Sequence, residues 1–305
     1  VRHCAVGEAA TRFPWNDSAE VLAQVRDAWA GVTITRADRS WLLVPGTSPA
    51  GAGGWLLWVE AAVDRSWSRA ERAALNLAAQ GERGPLWGMA ARQTAGRGRR
   101  GRAWISMPGN LHATLLLTDP SPAEHWPELS FVAALAVHDA VMDLAAGLQP
   151  RPTIKWPNDL LLGGAKFAGI LIEGESAEKA AVAVGIGINC ASHPADPECP
   201  ATDLAAAGVT VSPAALLDAL AGTMLARITQ WNGGQGFAGI RADWLARVSG
   251  VGEDVRVRLA DCEISGRFEA IDAAGGLVLR LPDGNATTIA AGDVFVPSPP
   301  SLRQG

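Results

Sequence analysis

The sequence has 305 residues, of which 48% are hydrophobic, and a formal net charge of −5 at pH 7. This length indicates two or three domains with a substantial core, and the acidity argues against general binding to nucleic acid or anionic membranes. No run of about 18 apolar residues predicts a transmembrane helix, and we see no signal-peptide pattern.

The first 74 residues differ in composition from the rest of the chain. They contain six tryptophans but no lysine and no methionine. They show neither an internal repeat nor the spacing of a helix-turn-helix. We therefore predict no DNA-binding domain here and leave the structure of residues 1–74 open.

Residues 75–249 are predicted to form one mixed α/β domain. A helix ends near Gly81, and a short apolar strand at Leu86–Ala91 leads into a segment rich in glycine and arginine. Leu111–Leu117 is a second strand, and the apolar positions of Leu129–Ala146 have helical spacing.

The second half of this domain is predicted to begin with a strand at Thr153–Trp156. A turn at Gly163-Gly164 then indicates a hairpin. Ser212 is a good N-cap and Pro213 suits a first turn, so a helix is predicted from there to about Trp231. The other predicted elements are strands at Phe167–Glu173 and Ala180–Asn189, a loop at Ala191–Pro200 and a short helix at Phe237–Val248.

After Gly250 the pattern changes to short strands. Val255 and Val257 alternate with charged residues, and Asp283-Gly284 is a strong hairpin signal. Residues 250–298 are therefore predicted to form a small β-barrel domain.

The segment Gln93–Trp104 sets four arginines among three glycines in this acidic protein. Glycine lets the backbone approach a ligand closely, and the forked donors of arginine match phosphate and carboxylate oxygens. The segment therefore predicts a loop that wraps an anionic ligand and is mobile when empty. A solvated basic loop, binding nucleic acid or nothing, is the alternative.

Two further blocks lie downstream of this loop. One contains Lys155–Leu160 and then Lys166–Glu173, and the other is Val184–Asn189. With Gln93–Trp104, in this order and spacing, they resemble the catalytic domain of a biotin protein ligase. The resemblance spans roughly residues 75–296, with a weaker match near Asp203, where the family usually has serine.

The resemblance implies a ligase with a mixed-sheet α/β catalytic domain and a C-terminal SH3-like β-barrel. Such an enzyme joins biotin and ATP, with Mg²⁺, into biotinoyl-AMP. It then acylates one lysine of a biotin carboxyl carrier protein, such as that of acetyl-CoA carboxylase or a related carboxylase. Family members often form homodimers, so a homodimer is possible here.

The resemblance also implies the site residues. Lys166 is the main catalytic candidate, because its charge would neutralise the biotin carboxylate and the α-phosphate. Arg99 and Asp159 are also predicted to be catalytic, with Asp159 binding Mg²⁺ or orienting the incoming amine. The implied biotin contacts are Gln93, Arg97, Gly98, Arg99, Lys166, Gly169, Leu171, Gly185 and Ile188. The implied ATP and adenylate contacts are Arg97, Arg99, Arg102, Trp104, Lys155, Asn158 and Asn189.

Cysteine usage favours a cytoplasmic protein. The four cysteines are scattered and form no CxxC pair, which is typical of reduced thiols. Cys190 directly follows the third block, and we interpret it as a space-filling residue. Neither the cysteines nor the histidines have metal-site spacing.

One part of the family pattern is missing. The family usually carries Ser-Thr-Asn before the glycine-arginine loop, as a biotin contact, whereas this chain reads Asp64–Glu71 there without that triplet. Three explanations are open: an N-terminal segment translated from a shifted frame, which we prefer; a divergence in which Ser66 or Ser68 substitutes; or a degraded biotin pocket.

Three other functions compete with biotin ligation. A lipoate or octanoate protein ligase shares the fold, although the combined blocks favour biotin. A nucleic-acid-binding module would use the arginine loop, but the acidic net charge opposes it. An inactive, carrier-binding relative is compatible with the missing triplet.

Overall fold

The computed structural model describes residues 69–79, 81, 84–90, 92–176, 180–195, 200–259 and 261–295, together with the backbone of four short N-terminal strands. Two sheets organise the chain. A ten-stranded mixed sheet has the strand order β1-β2-β3-β4-β5-β6-β10-β9-β8-β7, and a five-stranded antiparallel sheet has the order β14-β13-β12-β11-β15. The strands of the larger sheet are β1 His3–Cys4, β2 Thr33–Arg36, β3 Arg39–Val44, β4 Trp55–Val59, β5 Leu86–Met89, β6 Leu111–Thr118, β7 Thr153–Lys155, β8 Asp159–Leu162, β9 Ala165–Glu175 and β10 Ala181–Ile188.

The antiparallel strands β6, β10 and β9 form the centre of the larger sheet. Alternate residues of β6 and β10, including Leu115 and Val184, are buried in the main core. The residues between them, including Leu116 and Ala183, face the opposite side and pack there with Leu75. The sheet is therefore covered on both faces.

Four helices provide this cover. Helix α1 (Ala70–Ala79) lies on one face, and helices α2 (Leu129–Leu144), α3 (Pro213–Trp231) and α4 (Phe237–Leu245) pack on the other. The predicted start of α3 is confirmed, because Ser212 Oγ accepts a hydrogen bond from the Ala215 amide at 3.2 Å. None of the described helices is long and apolar enough to cross a membrane.

Helix α4 ends earlier than predicted, at Leu245 instead of Val248. The following residues pair with the edge of the larger sheet. The Ile154 amide donates to Arg247 O at 2.9 Å, and the Ser249 amide donates to Ile154 O at 2.8 Å. The chain leaves the helix because these residues complete the hydrogen bonding of β7.

The five-stranded sheet forms the C-terminal part of the chain. Its strands are β11 Asp254–Arg258, β12 Glu263–Ile271, β13 Leu277–Arg280, β14 Ala286–Ile289 and β15 Asp293–Phe295. Asp283 and Gly284 connect β13 to β14 as the hairpin signal predicted, with Gly284 at φ +87°. Trp156 joins the two sheets, since its Nε1 donates to Gly275 O at 3.0 Å.

The domain boundaries remain predictions, with one structural observation that bears on them. The boundary predicted between residues 74 and 75 falls inside α1, which begins at Ala70. Ser66 and Ser68, the suggested substitutes for the missing triplet, lie outside the described residues.

Candidate active site

A cleft opens on the α1 side of the larger sheet, and its floor is made of backbone. Gly185 and Gly187 of β10 share this face with Gly169 of β9. A Cβ atom on Gly187 would lie 2.3 Å from Cζ2 of Trp104, and one on Gly169 would lie 3.2 Å from Cζ3 of the same ring. These glycines are needed because any side chain would fill the cleft.

The glycine-arginine loop folds over this floor. The Gly98 amide donates to Arg102 O at 2.8 Å, and the Trp104 amide donates to Gly96 O at 2.9 Å. The tip reverses through Arg100 at φ +56° and Gly101 at φ +72°. The loop thus holds its arginines in a defined turn at the mouth of the cleft.

The arginines of the loop have different surroundings. Arg102 Nη2 lies 2.6 Å from Asp293 Oδ1, and Arg100 Nη1 lies 3.4 Å from Asp293 Oδ2, so both contact β15. Arg99 is half-buried, and its Nη1 atom has no hydrogen-bond partner among the described residues. Burial lowers the pKa of Arg99, and the carboxylates of Asp293 and Asp159 oppose this effect. A buried, unpaired guanidinium nitrogen favours an anionic ligand.

Lys166 lies opposite this loop at the start of β9. Its Nζ atom is 2.5 Å from Oδ1 of Asp159 and 5.7 Å from the centroid of the Trp104 ring. Its backbone is held from both sides, because the Lys166 amide donates to Pro200 O at 2.7 Å and the Thr202 amide donates to Lys166 O at 2.9 Å. A cation is therefore fixed next to the glycine floor.

Trp104 lies in the cleft and is oriented by a histidine that sequence reasoning missed. Its Nε1 donates to His112 Nδ1 at 3.3 Å, and His112 Nε2 lies 3.4 Å from Met107 O. Burial lowers the pKa of His112, which favours a neutral ring. With Nδ1 as acceptor, the proton belongs on Nε2. His112 could be found only from the register that sets it beside Gly187.

A buried asparagine, also missed from the sequence, organises the end of β10. Asn110 Oδ1 accepts hydrogen bonds from the amides of Cys190, Ala191 and Ser192 at 2.9, 3.0 and 3.3 Å. Asn189 lies beside it, and its Nδ2 donates to Thr202 O at 3.0 Å. Cys190 is buried, and burial raises its pKa to about 11, as expected for a space-filling thiol.

Most of the predicted site residues meet in this cleft. It is lined by Gln93, Arg97, Gly98, Arg99, Arg102, Trp104, Asn158, Asp159, Lys166, Gly169, Leu171, Gly185 and Asn189. Gln93 Oε1 also accepts from the Ala70 amide at 2.9 Å, and Asn158 Nδ2 donates to Ile170 O at 2.5 Å. Segments far apart in sequence are thus brought to one place.

Two predicted site residues do not line the cleft. Ile188 is fully buried in the main core, because strand alternation turns it away from the face of Gly187. Lys155 has its Nζ atom 5.4 Å from the centroid of the Phe295 ring in β15. The contacts predicted for Ile188 and Lys155 thus gain no support from the geometry.

A third residue missed from the sequence is an acidic one in the first turn of α1. Glu71 lines the cleft next to Gly185. Burial raises the pKa of Glu71, Glu173 adds to this effect, and a backbone hydrogen bond and Arg69 oppose it. Helix periodicity predicted the end of this helix but gave no sign that its start faces the cleft.

Comparison with known proteins identifies the family. Residues 65–189 match the Biotin/lipoate A/B protein ligase family, and residues 250–296 match the Biotin protein ligase C terminal domain. A biotin–[acetyl-CoA-carboxylase] ligase of Paracoccus denitrificans is 45% identical over 71% of this chain and 92% of its own length. The chain belongs to the biotin protein ligase family. A ligase of the same name from Mycobacterium tuberculosis is 35% identical to this ligase over 68% of this chain and 77% of its own length.

A solved structure supports the same fold. The biotin protein ligase of Aquifex aeolicus, in complex with biotin and ATP, superposes with a TM-score of 0.62 at 26% identity. The match covers 76% of this ligase and 97% of that chain. The C-terminal match and these relatives favour biotin over lipoate, and they confirm the prediction of a biotin ligase.

Proposed function

We propose that this cleft binds biotin and ATP, forms biotinoyl-AMP and transfers the biotinoyl group to a lysine of a carrier protein. In the first step a carboxylate oxygen of biotin attacks the α-phosphorus, and pyrophosphate leaves. In the second step the lysine amine attacks the acyl carbon, AMP leaves, and the amine loses a proton. The observation that carries the proposal is the pair of fixed cations, Lys166 and Arg99, above a glycine floor.

The cationic side chains would neutralise the negative charges of the substrates. Two anions, the carboxylate and the α-phosphate, have to approach each other, and preorganised cations lower the cost of that approach. Lys166 would hold both groups, and Arg99 would take the phosphate with its unpaired nitrogen. Asp159 would release Lys166 to the ligands and orient the amine of the carrier.

The remaining cleft residues would bind and position the substrates. Biotin would lie on the glycine floor, with Gln93, Arg97, Gly98, Gly169, Leu171 and Gly185 around it. The adenylate would contact Arg102, Trp104, Asn158 and Asn189. Closure of the loop over the mixed anhydride would exclude water.

Mg²⁺ would enter with ATP. No group of three or more metal-binding side chains occurs within the part of the chain that the structure describes. Mg²⁺ usually binds through one or two carboxylates plus substrate phosphates, and the carboxylate of Asp159 fits that donor set. The ion would neutralise charge on the leaving pyrophosphate.

The partner would be a biotin carboxyl carrier domain of acetyl-CoA carboxylase or a related carboxylase. The name of the Paracoccus relative supports this choice. A cytoplasmic site of action is supported by Cys190 and Cys262, which are both free thiols. We also propose a homodimer, and its support is the family resemblance alone.

Biotin transfer can be tested directly. The protein is incubated with biotin, ATP, Mg²⁺ and a recombinant carrier domain, and the carrier is weighed by intact mass spectrometry. We expect a mass increase of one biotinoyl group, absent when the acceptor lysine is replaced by arginine. No increase, or an equal increase with lipoate in place of biotin, would contradict the proposal.

A further inference from the structure

One carboxyl group of the cleft has no role in the reaction described above. Glu71 is only 5% exposed, yet it lines the cleft. Its Oε1 atom lies against the backbone of Gly185, where a Cβ atom would be 2.1 Å away. Its Oε2 atom is buried without a hydrogen-bond partner among the described residues. A buried polar atom without a partner is costly, so it points to a ligand.

A second buried oxygen lies on the same side of the sheet. Thr114 is fully buried, and its Oγ1 atom also lacks a partner among the described residues. Thr114 is the cross-strand neighbour of Gly185, so the two positions share one face. Glu71 and Gln93 both line the cleft at the start of α1.

We propose that Glu71 binds the cyclic urea of biotin, as a specificity residue that this chain has in place of the missing Ser-Thr-Asn triplet. This inference rests on the proposed function. A carboxyl group accepts hydrogen bonds through its oxygens. The urea of biotin offers two N–H donors, so the unpartnered Oε2 atom of Glu71 can accept a hydrogen bond from one of them.

The surroundings of Glu71 raise its pKa. Burial is the largest influence on Glu71 and raises its pKa, and the neighbouring carboxylate of Glu173 acts in the same direction. A backbone hydrogen bond of Glu71 and the charge of Arg69 oppose this effect, and the Arg69 guanidinium is also paired with Glu173. With or without a proton, the group keeps an oxygen that can accept a hydrogen bond from a urea N–H.

Two substitutions separate a binding role from a structural one. Glu71→Gln keeps one donor and one acceptor, whereas Glu71→Leu removes both at similar volume. Glu175→Gln is the matched control, because the exposed Glu175 is paired with Arg72 outside the cleft. We would measure biotin affinity by calorimetry, and the KM for biotin and for ATP by pyrophosphate exchange, for the intact protein and each variant.

The expected result is selective for biotin. Glu71→Leu should weaken biotin binding by about 10- to 100-fold, since it leaves the urea with an unmet partner. Glu71→Gln should stay within about threefold of the parent protein because its hydrogen-bonding capacity is retained. The KM for ATP should change little in either variant, and Glu175→Gln should match the parent.

The outcomes distinguish this inference from the proposed function. If folded Glu71→Leu binds biotin as the parent does, or if the KM for ATP rises as much as that for biotin, the inference is wrong. If the parent binds biotin but catalyses no exchange, the proposed function fails, while a loss of binding in Glu71→Leu still supports the inference. If the parent binds no biotin, both are wrong.

Discussion

At the scale of single residues, the floor of the cleft depends on having no side chains. The third block gives β10 a glycine at every second position, Gly185 and Gly187, and strand alternation sends both to one face. Ile186 and Ile188, which alternate with these glycines, are buried in the main core. The sequence therefore encodes a flat surface for a ligand and a buried core with the same six residues, Val184–Asn189.

Adding one methyl group to this floor should damage the site. A Cβ atom on Gly187 would lie 2.3 Å from the Trp104 ring, so Gly187→Ala should displace that ring. We expect kcat/KM for biotin-dependent exchange to fall by about 10- to 100-fold, because small misplacements in a site have large effects on rate. Steady-state kinetics measure this, and unchanged kinetics would show that Trp104 has no part in the site.

A glycine on the surface of α3 provides the control for Gly187→Ala. Gly222 is exposed and helical, and a Cβ atom there would meet nothing within 4 Å. Gly222→Ala should raise the free energy of unfolding by about 0.5–1 kcal/mol through lower entropy of the unfolded chain. Urea denaturation measures this change, and activity should stay the same. A loss of stability would contradict the described helix.

The buried ring of His112 makes stability depend on pH. Burial lowers its pKa from the ordinary value of 6.5, so below about pH 6.5 the unfolded state binds a proton that the folded state does not. Stability from this group is thus present at high pH and lost as pH falls through 6.5. The loss between pH 7.5 and 5.5, measured by urea denaturation, should be smaller in His112→Gln than in the parent. Equal losses would contradict a neutral His112.

At the scale of elements, the glycine-arginine loop is tied to β15. Asp293 holds both Arg100 and Arg102, and Arg100 Nη1 also donates to Arg258 O at 3.2 Å. Arg102 and Arg100 are therefore held by a carboxylate of the C-terminal sheet. The loop has to exchange these contacts if Arg102 is to reach phosphate.

Removing the charge of Asp293 should loosen the loop. In Asp293→Asn, trypsin should cleave after Arg99, Arg100 or Arg102 several times faster than in the parent, because two ion pairs are lost, and biotin with ATP should slow cleavage in both proteins. Mass spectrometry of the fragments measures the rates. Asp261→Asn, in an exposed turn of the same sheet, is the control. Equal cleavage with and without ligands would contradict closure of the loop.

Local sequence signals predicted most elements but not their contacts. Glycine, proline and N-cap signals gave the start of α3 and the β13–β14 turn because these depend on neighbouring residues. The end of α4 was wrong by three residues, since pairing with Ile154 overrides helical periodicity. Such pairing joins distant segments and leaves no local trace.

The same limit applies to the site. Lys166, Arg99 and Asp159 were predicted from blocks that resemble a family, and the structure brings them to one cleft. Glu71, His112 and Asn110 were missed because their place in the site follows from strand register and helix packing. Their residue types are common, and no motif marks them.

At the scale of the whole molecule, the cleft is lined by the larger sheet, the start of α1 and the glycine-arginine loop, and the smaller sheet supports this arrangement from outside. Trp156 joins the sheets through Gly275, and Asp293 joins the loop to the smaller sheet. The C-terminal sheet is thus part of the site's framework. Whether this assembly activates biotin is therefore the central question.

The most direct test is biotin-dependent exchange of labelled pyrophosphate into ATP by the parent protein and by Lys166→Ala. Adenylate formation is reversible, so exchange reports the first step without a carrier. We predict exchange with biotin but not with lipoate, reduced at least about 100-fold in Lys166→Ala because a preorganised charge is lost. Absence of exchange in the folded parent, or exchange unchanged in Lys166→Ala, would contradict the account.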